Sequence, residues 1–127
     1  MAIENTSTER IETIVASQRA YFRGGNTLDI KFRLSALRAL KSAIMKWEKP
    51  LADALWADLH KSYEEGYLTE LSIVLGEIDN HISHLKEWSA PEHRPTPLKM
   101  FPSRSKIISE PLGCSLIIAP WNYPVQL

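Results

Sequence analysis

Between residues 8 and 88 apolar side chains return every three or four positions, the spacing that gathers one face of an α-helix. In the first run Ile11, Ile14, Val15, Ala20 and Phe22 follow Thr6-Ser7-Thr8-Glu9. That tetrad has the form of a capping box, in which a hydroxyl and a carboxylate three residues apart satisfy free amide donors at a helix start. Gly24-Gly25 ends the helix. Thr27 can cap a second, built on Leu34, Leu37, Leu40, Ile44 and Trp47, and Pro50 either breaks it or opens the next. Leu51, Leu55 and Leu59 carry the stripe on to about residue 62. A fourth segment holds Leu68, Leu71, Leu75, Ile78, Ile82 and Leu85, with Glu65, Glu70, Glu77 and Asp79 assigned to its solvated surface. Each helix is expected to bury one face.

The pattern changes at Ala90. Pro91, Pro95, Pro97 and Pro102 fall among charged and small residues up to Arg104, a density that disfavours helix and central strand alike. Beyond this connector, Lys106 to Ser109 is a short strand candidate, Glu110-Pro111-Leu112-Gly113 a turn, and Cys114 to Ala119 a second strand candidate. The second is apolar almost without alternation, which suits a strand covered on both faces, as in a parallel α/β sheet. Pro124 stands where a helix can begin, because its fixed φ and missing N–H cost nothing in a first turn. The expected organisation is a helical region over 1–89, a proline-rich connector over 90–104, and the start of an α/β domain over 105–127.

Composition narrows the function classes. The 127 residues suffice for one domain, and folding at that size buries roughly two thirds of the unfolded surface. Fifteen basic and fifteen acidic side chains leave a formal net charge of zero, so nothing draws the chain globally to nucleic acid or to an anionic membrane. The first ten residues contain no apolar signal region, and no later stretch has bilayer-spanning length; a cytoplasmic location is expected. One cysteine, Cys114, excludes an intrachain disulfide framework and a multi-cysteine metal site. Asn5-Thr6-Ser7 matches a glycosylation sequon, which has no meaning without secretion.

The chemistry-bearing candidates gather near the end. In open α/β sheets ligands bind at the carboxyl ends of strands, where loops turn into helices, and Trp121 and Asn122 stand at such an edge. An Asn amide there offers two neutral donors to an oxygen gaining negative charge. Taken alone, Pro120-Trp121-Asn122-Tyr123-Pro124 favours a rigid turn in which Asn bonds its own backbone. His81 and His84, three apart on the fourth helix, could face a metal with His60 or His93, but no third ligand is evident and no metal is expected. Glu64-Glu65 and the pair Asp53 and Asp58 fit solvated helix faces. Trp47, Trp56 and Trp88 at helical spacing among leucines read as core or interface packing.

The segment EPLGCSLIIAPWNYP, Glu110 to Pro124, resembles the stretch that leads into the cofactor-binding domain of the aldehyde dehydrogenase superfamily: a Glu-Pro-Leu-Gly turn, an apolar strand and Pro-Trp-Asn. The helical pattern from Thr8 to Trp88, with Arg33-Leu34-Ser35-Ala36-Leu37, is similar to the amino-terminal part of the class 3, fatty-aldehyde branch. The resemblance implies an α/β fold for the intact family member. This chain would then supply an amino-terminal layer of about four helices, the connector, and the first strands of a Rossmann-like domain. It further implies NAD or NADP as cofactor, a small-molecule aldehyde substrate oxidised to a carboxylic acid through a cysteine thiohemiacetal, and a homodimer when intact. By position, Asn122 would donate its amide to the oxyanion, Ile118, Ala119, Pro120 and Trp121 would line the dinucleotide site, and Tyr123 would act as packing support.

The family's nucleophilic cysteine, its activating carboxylate and a glycine-rich phosphate loop have no matching positions here. Cys114 lies five residues from Ala119, and five residues of strand span roughly 16 Å, so it cannot share one thiohemiacetal with Asn122; it reads as a small core residue. The 127 residues are therefore expected to be the inactive amino-terminal portion of such an enzyme. The alternative is a stand-alone helical interaction module pairing through the exposed edge of Leu116 to Ala119.

Overall fold

The computed structural model describes residues 5–127; the reading of the first four residues lies outside this range. Helix α1 spans Thr8–Arg23, and its cap is Ser7 rather than Thr6, the hydroxyl three residues before Glu9, because it is the Ser7 Oγ that accepts from the Arg10 amide at 3.3 Å. Glu9 sits in the first turn, and its own backbone amide and the Ser7 hydroxyl hold its carboxyl below the ordinary value. Gly24 and Gly25 end α1 as expected, with Gly25 at φ 74°, the left-handed region that a Cβ disfavours. Helix α2, Ile30–Lys46, is capped by Asp29 rather than Thr27: the Asp29 carboxylate accepts from the Lys31 amide at 3.0 Å. Helix α3 covers Glu48–Leu59, so Pro50 opens a helix instead of breaking one, its absent N–H falling among first-turn amides that have no intrahelical partner. His60, at φ 55°, terminates α3.

The fourth apolar segment is not one regular helix. Helix α4, Tyr63–Gly66, is capped by Ser62 and leads directly into a π-helical turn, Tyr67–Leu71, and then into α5, Ser72–Trp88. The turn is closed by the Ser72 amide donating to the Tyr67 carbonyl, five residues back. An i→i−5 turn takes in one extra residue and slips the helical phase by about 100°. Leu68 therefore leaves the stripe and is 65% exposed, while Leu71 is 1% exposed. Glu70, assigned above to the solvated surface, is fully buried. This overturns the regular-helix reading of its position.

The core lies between α3 and the α4–α5 rod: Ala52, Leu55, Leu71 and Ile78 are buried. Gly66 permits the approach, since a Cβ there would stand 3.0 Å from Leu55 Cδ1. Helix α2 packs along α5, with Lys41 and Asp79 paired at 2.6 Å. The expectation that every helix buries a face fails for α1, where Ile11 is half exposed, and is met only in part by α2, whose Leu34, Leu37 and Ile44 are half-buried while Leu40 is half exposed. Periodicity marks a face that needs cover, but does not supply the cover.

The carboxy-terminal third departs furthest from the sequence reading. Strand β1, Glu92–Arg94, forms inside the proline-rich connector and pairs antiparallel with β2, Ser105–Ile107, matching Glu92 with Ile107 and Arg94 with Ser105. Prolines at 91 and 95 are compatible because both strands of a two-stranded sheet are edges. Thr96 Oγ1 secures the hairpin by accepting from the Ser105 amide at 2.8 Å. Among the described residues Cys114 to Ala119 forms no paired strand, contrary to expectation, because none of these residues finds a neighbouring edge with which to share a ladder. At Pro124 the chain does enter a helical turn, with the Leu127 amide donating to the Tyr123 carbonyl at 3.0 Å.

Candidate functional site

Lys61 and Glu70 build the site from the helical side. The left-handed His60 and the Ser62 cap fix the short link that carries Lys61, and the π turn rotates Glu70 inward to meet it. Lys61 Nζ lies 2.6 Å from Glu70 Oε1, with the lysine side chain 11% exposed and the glutamate not at all. The remaining valences of this buried pair go to the Trp121–Pro124 loop. Lys61 Nζ also donates to the Asn122 carbonyl at 2.8 Å and stands 3.8 Å over the centre of the Tyr123 ring. Glu70 Oε2 accepts from the Val125 amide at 2.8 Å. Burying an ion pair is favourable only where such additional bonds satisfy both groups, and here each carboxylate oxygen has a donor.

Asn122 is exposed, and its bond to Lys61 uses the backbone carbonyl rather than the side-chain amide. Ile118 and Trp121 are 85% and 88% exposed, Pro120 is exposed, and Ala119 is half-buried. Together they form a solvent-facing apolar ribbon leading to the loop. Tyr123 is half-buried beneath the Lys61 ammonium.

The other candidates are dispersed. Cys114, expected in a core, is exposed, because the strand that would have buried it does not form. The rings of His81 and His84 both lie against Trp88, at 5.3 and 5.5 Å between centres. Their Nδ1 atoms meet the Glu77 and Asn80 carbonyls, which can only accept, so each Nδ1 carries the proton. Among the described residues no group of three His, Cys, Asp or Glu is arranged to hold a metal ion. Trp47, Trp56 and Trp88 are about half exposed and separate, not the packed core expected of them; Trp56 instead leans on His60 at 5.5 Å. Asp53 pairs with Lys49 on the surface of α3. Among the described residues no helix is long and apolar enough to cross a membrane.

Sequence reasoning missed Lys61 and Glu70. The one available signal was a glutamate directly beside Leu71 of the apolar stripe, where a single inserted residue turns it inward.

A nearby group titrates abnormally. The Tyr63 hydroxyl donates to the Glu48 carboxylate, which raises the phenol above its ordinary value of 10.0. Because the folded form holds its proton more tightly, the contribution is complete below the unfolded value and is lost as pH rises through the folded one. An alkaline absorbance titration of the protein should show a tyrosine ionising above the ordinary range, and Tyr63→Phe should remove that component. Persistence of the component in the variant would refute the assignment.

A family model described as the aldehyde dehydrogenase family matches residues 1–127. The chain is 42% identical over 117 residues to 4,4'-diaponeurosporen-aldehyde dehydrogenase of Staphylococcus aureus, covering 92% of this chain and 26% of that protein. It is 43% identical over 119 residues to the dimeric NADP-preferring aldehyde dehydrogenase of Canis lupus familiaris, covering 91% and 25%. A solved substrate-bound state of Staphylococcus aureus AldH superposes with a TM-score of 0.87 at 40% identity, over 97% of this chain and 26% of the other. The chain thus spans about a quarter of the length of these relatives.

Proposed function

The chain belongs to the aldehyde dehydrogenase family, and from this premise we propose that it is the amino-terminal part of an NAD(P)-dependent enzyme that oxidises an aldehyde to a carboxylic acid. The observation that carries the reading is the anchored loop: its backbone is tied to a buried ion pair while the exposed Asn122 keeps its amide for an outside acceptor. In this reading Asn122 donates to the oxygen that becomes negative when a cysteine thiolate, contributed from beyond these residues, adds to the aldehyde. A neutral donor fixed before the charge appears needs no reorganisation at the moment of reaction.

Ile118, Ala119, Pro120 and Trp121 fit the nicotinamide end of a dinucleotide, since they present an uncharged, mostly exposed apolar surface to a planar ring. The dinucleotide, when bound, supplies the hydride acceptor. Phosphate-binding groups and the water-activating carboxylate would come from the rest of the protein, so residues 1–127 alone are inactive in this proposal. Residues 1–89, 90–104 and 105–127 would be its helical layer, connector and the start of its cofactor domain. The dog relative's dimeric state and NADP preference, both part of its name, extend here as a homodimer using NAD or NADP.

The test is the intact mass of the protein purified from its own gene, together with aldehyde-dependent reduction of NAD and NADP. A mass several times 14.5 kDa with turnover supports the proposal. A mass of 14.5 kDa without turnover favours the second reading, an inactive helical module, for which the exposed run Leu116, Ile117 and Ile118 offers a pairing edge.

A further inference from the structure

The loop that carries Asn122 is held from outside itself. Its two described anchors lie on different peptide planes: the Asn122 carbonyl belongs to the plane joining residues 122 and 123, and the Val125 amide to the plane joining 124 and 125. Each plane is rigid, so fixing both leaves little freedom for the intervening dihedrals. The Asn122 Cα lies in the first plane, so holding that plane fixes the point from which its side chain departs. Both anchors end on one buried unit, because the ammonium that binds the first plane is paired with the carboxylate that binds the second. The Tyr123 ring closes the remaining side of the ammonium at 3.8 Å. The ion pair joins residues nine positions apart, but both anchors are long-range: Lys61 and Asn122 are 61 positions apart, and Glu70 and Val125 are 55 apart. Removing one partner of a buried charge pair strands the other, so each of these two charges requires an arrangement that satisfies it.

We propose that Lys61 and Glu70 are positioning residues that hold the Asn122 amide at the place where negative charge develops. The inference rests on the oxyanion reading of Asn122 given above. Lys61 and Glu70 act through the loop backbone and touch no reacting atom. A displacement of about 1 Å in such a donor can lower a rate by about 10²-fold, so loosening the anchor should be read chiefly in kcat.

The test uses the full-length protein carrying Lys61→Met together with Glu70→Gln. Removing both charges avoids stranding one of them in the interior, methionine keeps the apolar stem, and glutamine still accepts from Val125. The expected result is a kcat lower by about 10- to 100-fold with the KM for the dinucleotide changed less than about twofold. The same pair of changes made on top of Asn122→Ala should lower kcat no further, because the group being positioned is gone. Deuterium uptake at Val125 should quicken while uptake along α5 stays as it was. An equal kcat loss in both backgrounds would mean a general structural defect and would overturn the proposal. Faster exchange with an unchanged kcat would overturn it too. If Asn122→Ala itself turns over normally, the oxyanion reading fails and the positioning role falls with it, while the exchange measurement still reports whether the anchor exists. Should the paired variant lose its circular dichroism, Lys61→Arg takes its place in the same two backgrounds. It keeps the charge but puts a planar fork where a point donor stood.

Discussion

Asn122→Ala is expected to lower the turnover number of the intact protein on an aldehyde by about 10²- to 10³-fold, with little change in the KM for NAD or NADP. The size follows from removing one pre-aligned donor from a developing oxyanion. The asymmetry follows from where the loop's surfaces lie: the apolar residues assigned to the dinucleotide precede Asn122 in the chain, and the anchoring bond is made by its backbone carbonyl, which alanine retains. The fold should therefore be unaffected, and circular dichroism of the variant should match the parent. Steady-state kinetics decide the matter. A turnover number within a factor of about three of the parent would remove Asn122 from the chemistry, since loss of a working donor is worth far more.

The second large effect is on stability and separates two neighbouring leucines. Leu71→Ala is expected to cost about 2–5 kcal/mol, because a fully buried leucine loses its transfer energy and leaves a cavity in a core of few side chains. Leu68→Ala, three positions earlier on the same apolar stripe, is expected to cost less than about 0.5 kcal/mol, since its side chain is mostly exposed. In a regular helix both would face the core and both variants would be costly. Urea denaturation of the two variants thus reports on the π turn: similar losses would show that Tyr67–Leu71 is regular helix in solution and that Glu70 does not face inward.

Much of the helical layer was legible because the interactions that make helices are local. Gly24-Gly25 and Pro50 act within four residues of themselves, so their roles can be read in order along the chain, and the first cap shifts by only one residue, from Thr6 to Ser7. The replacement of Thr27 by Asp29 as the second cap is a small shift of the same kind. At the candidate site, the sequence pattern picked out the loop but not what holds it. Trp121 and Asn122 stood out through the flanking prolines and the motif resemblance, whereas Lys61 looked like any lysine in a polar link and Glu70 like any surface glutamate. Neither residue has a distinctive local pattern, because the property that matters is what each one meets.

Most helix ends, the apolar positions available to a core, and the motif that points to a family can be read along the chain. Each of these depends on side chains within a turn or two of one another. The packed chain settles which apolar faces are covered, at Leu55 and Leu71 but not at Ile11. It alone showed that the connector pairs with Ser105–Ile107 while Cys114 to Ala119 stays unpaired, since a strand exists only when another edge completes its hydrogen bonds. The burial of Glu70 against Lys61 is decided in the same way. A buried charge is tolerable only where partners converge on it, and those partners come from positions 61, 70, 122 and 125, brought together by packing that periodicity does not encode.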